Sequence, residues 1–152
     1  MMERNEYIEK VGLFYEQYGL PKMAGRILGY LISAPNDHNS FDDLIAGLHA
    51  SKGSISGNIK LLLTQNMIEK YMISGDRKSY FKVSTNSLNR IIEAKVVSIT
   101  QFKDIIGMGL VFNEHQQTPA RDELLSIHRY YEFLEQEIPL LKQKWDLIYQ
   151  QK

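Results

Sequence analysis

The chain has 152 residues, 43% hydrophobic and 24% charged, which suits one globular domain or a small domain plus an extension. A formal net charge of zero argues against an all-round basic nucleic-acid binder, and the absence of cysteine excludes a disulfide framework and a thiolate metal site. "MMERNEYIEK" is charged throughout, unlike a signal peptide, and the longest apolar run, Ile105 to Phe112, is far short of the ~18 residues of a membrane span, so a cytoplasmic protein without a membrane partner is expected.

In chain order, Ile8, Val11, Tyr15 and Tyr18 recur at helical spacing and predict a first amphipathic helix, stopped by "YGLP". Pro21 fits the first turn of the next helix, Lys22 to about Ser33, whose buried stripe is Met23, Ile27, Tyr30 and Leu31. Ser40, with Asp43 three residues on, resembles a capping box opening a short helix that buries Phe41, Leu44, Ile45 and Leu48. His49 and Ala50 make a tight connection to Ser51, a good N-cap for a helix from Lys52 to about Asn66. Ile68 to Ile73 and Ser79 to Val83 read as short strands around the turn "SGDRKS". Asn86 caps a long helix carrying Leu88, Ile92, Val96, Ile99, Phe102 and Ile106, and Thr118-Pro119 opens a last one.

Helix, short helix, tight turn, helix and hairpin is the order of a winged helix-turn-helix. The expected fold is therefore mostly α with a small β-hairpin wing. Residues 1–85 would form the N-terminal helix and DNA-binding domain, and residues 86–152 a helical dimerisation region.

The fourth predicted helix opens with "SKGSISGNIK", two glycines and three serines where helix propensity is spent. At about 100° per residue, Ile55, Ile59, Leu62 and Leu63 share one side. Gly53, Ser56, Gly57, Lys60 and Thr64 fall on the opposite side. Such a low-bulk face lets a helix axis approach a major groove, where short hydroxyls reach base edges or phosphates and Lys60 neutralises a phosphate. Ser51 and the free amides of the first turn, from Lys52 to Ser54, add a phosphate site. The same face also suits packing on another helix, or solvent. Between Leu48 and Arg90 seven cations stand against two anions, which by itself suits a solvated surface as well. The turn before the helix and the hairpin after it, with Arg77 and Lys78 at its tip, favour DNA.

"YGLPKMAGRILGYLI" (Tyr18 to Ile32), "DDLIAGLHASKGSISGNIKLLLTQNMIEK" and "SGDRKSYFKV" resemble the GbsR-like branch of the MarR-type winged-helix regulators. The resemblance runs from about Glu16 to Ile99, and its most branch-specific part is "GLPxxxGRILGYL". It implies a dimeric, effector-responsive transcription factor with a recognition helix at 51–66 and a wing at 68–83. Some members sense choline or related osmoprotectants.

Toward the C-terminus, Leu124, Ile127, Tyr131, Leu134, Ile138, Leu141, Trp145 and Ile148 alternate three- and four-residue steps, an unbroken a/d seam. It suits a homodimer interface, with packing on the preceding helix as the alternative. Pro139 is expected to kink or break this helix after Glu135. Tyr15, Tyr18, Tyr30, Phe102, Tyr131 and Trp145 are the aromatics expected near a domain junction, where rings hold an organic cation through their π faces. Arg26, inside an apolar helix, is expected to snorkel or to pair with an acidic residue.

The four histidines lack metal-ligand spacing, "GSISG" has Ile55 where a nucleophile elbow needs serine, and no phosphate-binding or dinucleotide fingerprint is present. No enzyme, cofactor or metal is expected. The expected function is an effector-controlled, sequence-specific DNA-binding repressor. The alternative is a winged-helix protein-interaction module, which would need exposed aromatics on its wing.

Overall fold

The computed structural model of the chain describes residues 2–149, apart from the side chains of residues 86–88. The expected Asn86 cap and the Leu88 position lie outside that description. Its elements are α1 (Arg4–Glu16), α2 (Lys22–Ile32), β1 (Asn39–Ser40), α3 (Phe41–Leu48), α4 (Lys52–Thr64), β2 (Ile68–Met72), β3 (Ser79–Val83), α5 (Asn86–Phe112) and α6 (Pro119–Tyr149). The chain divides into two compact units, one to Ile91 and one from Ile92. No helix among the described residues is long and apolar enough to cross a membrane.

In the first unit α2 is the centre. Ile27, Leu28 and Ala24 have no exposed surface, and Gly25, Gly29 and Tyr30 are buried with them. The expected Met23 and Leu31 are only half-buried. The difference comes from a second packed face that sequence periodicity did not reveal. A Cβ on Gly25 would stand 2.8 Å from the Cα of Gly12, so α1 and α2 cross nearly backbone to backbone. On another side, a Cβ on Gly47 would strike the Tyr30 ring at 2.1 Å, so α3 lies directly on that ring.

α1 ends at Glu16, earlier than the expected stripe. Gly19 turns the chain with φ +81°, and Tyr18 leaves the core, 40% exposed, while Ile8 and Tyr15 stay in it. Pro21 is the N-cap of α2, one position before the first turn. Its φ of −56° suits the helix start, and its carbonyl accepts from Ala24 and Gly25.

α3 opens with both halves of the capping box. Asp43 N–H donates to Ser40 Oγ at 3.3 Å, and Ser40 N–H donates to Asp43 Oδ2 at 2.8 Å. It ends at His49 in the left-handed region, φ 49°. The antiparallel sheet has the order β1-β3-β2, with Tyr71 opposite Tyr80 and Ile68 opposite Val83. β1 is a strand the sequence did not disclose. It pairs Asn39 with Phe81 and Ser40 with Tyr80.

In the second unit α5 and α6 run antiparallel. Glu135 of α6 accepts from Thr100 Oγ1 at 2.7 Å and pairs with Lys103 Nζ at 2.6 Å, and the Phe102 and Tyr131 rings lie 4.7 Å apart. Gly107 gives close packing: a Cβ there would come within 3.1 Å of His128 Nε2. Of the expected kink or break, the break does not occur: Pro139 lies inside α6, which continues to Tyr149. Proline removes one donor to the Glu135 carbonyl, and once a helix is nucleated the turns on either side carry it across a single missing bond.

Candidate nucleic-acid interface

Ser51 caps α4, accepting the Ser54 amide on its Oγ at 3.2 Å. That uses one of the donors any helix start leaves free, and the amides of Lys52 and Gly53 remain without an intrahelical acceptor. Ile55 and Leu62 are fully buried and Ile59 nearly so, anchoring α4 on the core. Three buried branched side chains contribute roughly 1.5–3 kcal/mol each, which exceeds the ~1 kcal/mol that each mid-helix glycine costs. Burial on one side thus leaves the other side free to carry poor helix formers.

That other side is bare. Lys52, Gly53, Ser56, Gly57, Lys60 and Thr64 are all exposed, while Ser54 is half-buried. An ideal Cβ at Gly53 or Gly57 would meet nothing within 4 Å. Among the described residues no packing therefore requires glycine at these positions, in contrast to Gly25 and Gly47.

The wing tip is built around Asp76. Its Oδ1 accepts the Lys78 amide at 2.9 Å and its Oδ2 accepts the Tyr80 hydroxyl at 2.5 Å, while Gly75 turns with φ +85°. The Tyr80 hydrogen bond, then the Lys78 amide, hold the Asp76 carboxyl below its ordinary pKa, and the same hydrogen bond raises that of Tyr80. With its carboxylate engaged by these donors, Asp76 leaves the Arg77 and Lys78 side chains exposed. Lys82 pairs across the strands with Glu69 at 3.1 Å. Phe81 turns into the core. Tyr71 and Tyr80 are half-buried and in contact with the His38 ring; Tyr71 donates to the Asp37 carbonyl, and its oxygen lies 2.9 Å from His38 Nδ1. The hairpin therefore carries cations at its tip, and its aromatic rings are engaged from below.

The expected effector residues occupy three kinds of surroundings. Tyr15 and Tyr30 belong to the buried core of the first unit, and the Tyr18 ring lies 5.0 Å from Phe14. Burial raises the Tyr15 hydroxyl above its ordinary pKa. In the second unit Phe102 pairs with Tyr131, and Trp145 stacks on Tyr149 at 3.9 Å.

Arg26 does pair with an acidic residue: its Nε lies 2.6 Å from Glu9 Oε1, a charge contact without hydrogen-bond alignment. Its Nη2 also donates to the Leu48 carbonyl at 3.3 Å, which spacing alone could not indicate. The Asp37–Tyr71 and Asp76–Tyr80 contacts were likewise invisible to motif reading. The one available signal was the Asp-to-Tyr offset within the turn.

A helix–turn–helix followed by a two-stranded hairpin on a three-stranded sheet defines a winged-helix protein. Residues 86–147 match the model of an MmpR5-like MarR family transcriptional regulator. The HTH-type transcriptional regulator MmpR5 of Mycobacterium tuberculosis is 30% identical over 105 residues, 69% of this chain and 64% of that protein. A crystal structure of a transcriptional regulator shares the fold, with a TM-score of 0.61 at 24% identity over 95% of this chain and 98% of the other. Over the matched stretches the chain is similar to MarR-type winged-helix regulators. The matched segment spans just under two thirds of its mycobacterial relative. These relatives carry the names of regulators, none of them that of an enzyme.

Proposed function

We propose that this protein is a sequence-specific DNA-binding transcriptional regulator, a cytoplasmic repressor released by a small-molecule effector. α4 would enter the major groove through Ser51, Lys52, Gly53, Ser54, Ser56, Gly57 and Lys60, and Arg77 and Lys78 of the wing would follow the backbone or minor groove. One observation carries the reading: the α4 face is stripped of bulk at Gly53 and Gly57 where nothing among the described residues needs the space. A rigid surface approached closely from outside supplies that need, and a groove floor edged with phosphates also explains the neighbouring cations. The name of the mycobacterial relative supports it.

A homodimer completes the proposal. Among the described residues none from Ile92 to Tyr149 is buried, and the a/d seam of α6 remains open at Leu141, Trp145 and Ile148, each more than half exposed. Two copies would also present two recognition helices to two half-sites. The GbsR-like affinity rests on Tyr18 to Ile32 and makes an organic cation, choline or a related osmoprotectant, the effector of choice. Within the second unit the Phe102, Tyr131 and Trp145 rings are its candidate contacts, whereas Tyr15 and Tyr30 are taken up by the core of the first unit and Tyr18 rests on Phe14 there.

The test is a salt titration on a duplex that the protein selects from a randomised pool. Affinity should fall linearly on logarithmic axes, by about 0.9 in slope per phosphate contact. Arg77→Ala with Lys78→Ala should weaken every duplex and flatten the slope by about one unit per lost contact. A slope unchanged by the double substitution would remove the wing from the interface.

A further inference from the structure

Arg26 is placed where three elements of the first unit meet. Its guanidinium reaches Glu9 of α1 at 2.6 Å and the Leu48 carbonyl at the end of α3 at 3.3 Å, from a backbone position on α2. The side chain is only 24% exposed and lies over Gly12, where a Cβ would come within 2.9 Å of Arg26 Cγ. Lys22 binds the second Glu9 oxygen at 3.0 Å. Beside it Gly25 meets the backbone of Gly12, and Gly29 meets the Ile8 backbone and the Val11 side chain. Around these glycines Ile8 and Tyr15 of α1 are buried in the same core, and Arg4 donates to Ser33 Oγ at 3.2 Å and to the Tyr30 carbonyl at 3.3 Å. The Arg26–Glu9 contact is thus a second polar link between the two helices, and Arg26 also reaches the end of α3.

Its other end bears on the candidate interface. Leu48 is the last residue of α3, and only His49 and Ala50 separate it from Ser51, the cap of α4. Those two residues are tightly held: His49 is left-handed, and the Ala50 amide donates to Ile45. A shift of the Leu48 carbonyl is thus passed to the first turn of α4 with little slack.

We propose that Arg26 is a positioning residue for duplex binding, which sets the launch of α4 by holding α1 and the end of α3 in one grip and transmits displacement of α1 to the turn. The proposal rests on the DNA-binding reading for its function and on the clamp geometry for its mechanism. The guanidinium donates to the Leu48 carbonyl while its charge holds Glu9, whereas a lysine ammonium is a single point of charge.

The experiment compares Arg26→Lys, Glu9→Gln and the double variant in the full chain. It reads affinity for the duplex selected by the wild type, the salt slope, and amide exchange over residues 49–54. Each single variant should lose about tenfold in affinity with the slope unchanged, because no phosphate contact is removed. Amides of the turn should exchange faster, and the double variant should be no worse than the weaker single one, since both cut the same link. Wild-type affinity and exchange in both single variants would overturn the proposal, as would strictly additive losses. A slope reduced by about one unit in Arg26→Gln, run alongside because lysine keeps the charge, would make Arg26 a phosphate contact instead. If the wild type selects no duplex, the DNA-binding reading fails, and the exchange measurement still decides whether the clamp governs the turn.

Discussion

Asp43 illustrates how much a single residue can settle. Its carboxylate accepts both the Ser40 hydroxyl, at 2.6 Å, and the Ser40 amide, at 2.8 Å, and these bonds hold its pKa below the ordinary 3.8. A depressed carboxyl pKa contributes stability that is complete above the unfolded value and is lost as pH falls through the folded one. Asp43→Ala should therefore cost about 1 kcal/mol at neutral pH, the usual worth of a cap. The gap between variant and wild-type melting temperatures should close in acid. A gap independent of pH would mean that the carboxylate is not what stabilises the cap. This pair was legible in the sequence because a capping box spans only four residues. Arg26 was legible only as an oddity, since its second partner, the Leu48 carbonyl, has no side-chain signature.

At the scale of elements, periodicity located the helices and the hairpin because each has its own buried stripe and its own turn residues. It failed where a partner far along the chain decides. β1 is two polar residues, Asn39 and Ser40, and becomes a strand only because Phe81 and Tyr80 present a free edge. α2 is packed on more than one side through glycines, which hydrophobic patterning does not count. At Pro139 the expected break is absent, because the length of helix on either side carries it across one missing bond. The seam of α6 yields a prediction of its own. Leu141→Glu with Trp145→Glu should convert a dimer to a monomer in sedimentation equilibrium while helix content by circular dichroism is retained. A wild type that sediments as a monomer at concentrations well above those used for binding would contradict the proposed dimer.

For the whole molecule, the two units carry different parts of the proposal: the first the helix-turn-helix and wing, the second the open apolar helices. An effector controls DNA binding only by favouring one state over another, so its affinity must differ between the DNA-bound and released protein. Choline and glycine betaine, titrated to millimolar concentration, should change the fluorescence of Trp145, the only tryptophan, and release the duplex over the same range. Silence of both signals would remove the organic cation and leave DNA binding untouched.

The central claim is that the bare face of α4 meets duplex DNA, and Gly57→Leu tests it most directly. The added side chain enters open space, and leucine favours a helix over glycine by up to about 1 kcal/mol, so the variant should melt at or above the wild-type temperature. Its affinity for the duplex selected by the wild type should nevertheless fall by at least about tenfold, because a branched side chain then stands between the helix and the groove floor. An equally stable variant that binds the duplex as tightly as the wild type would show that this face of α4 does not touch DNA.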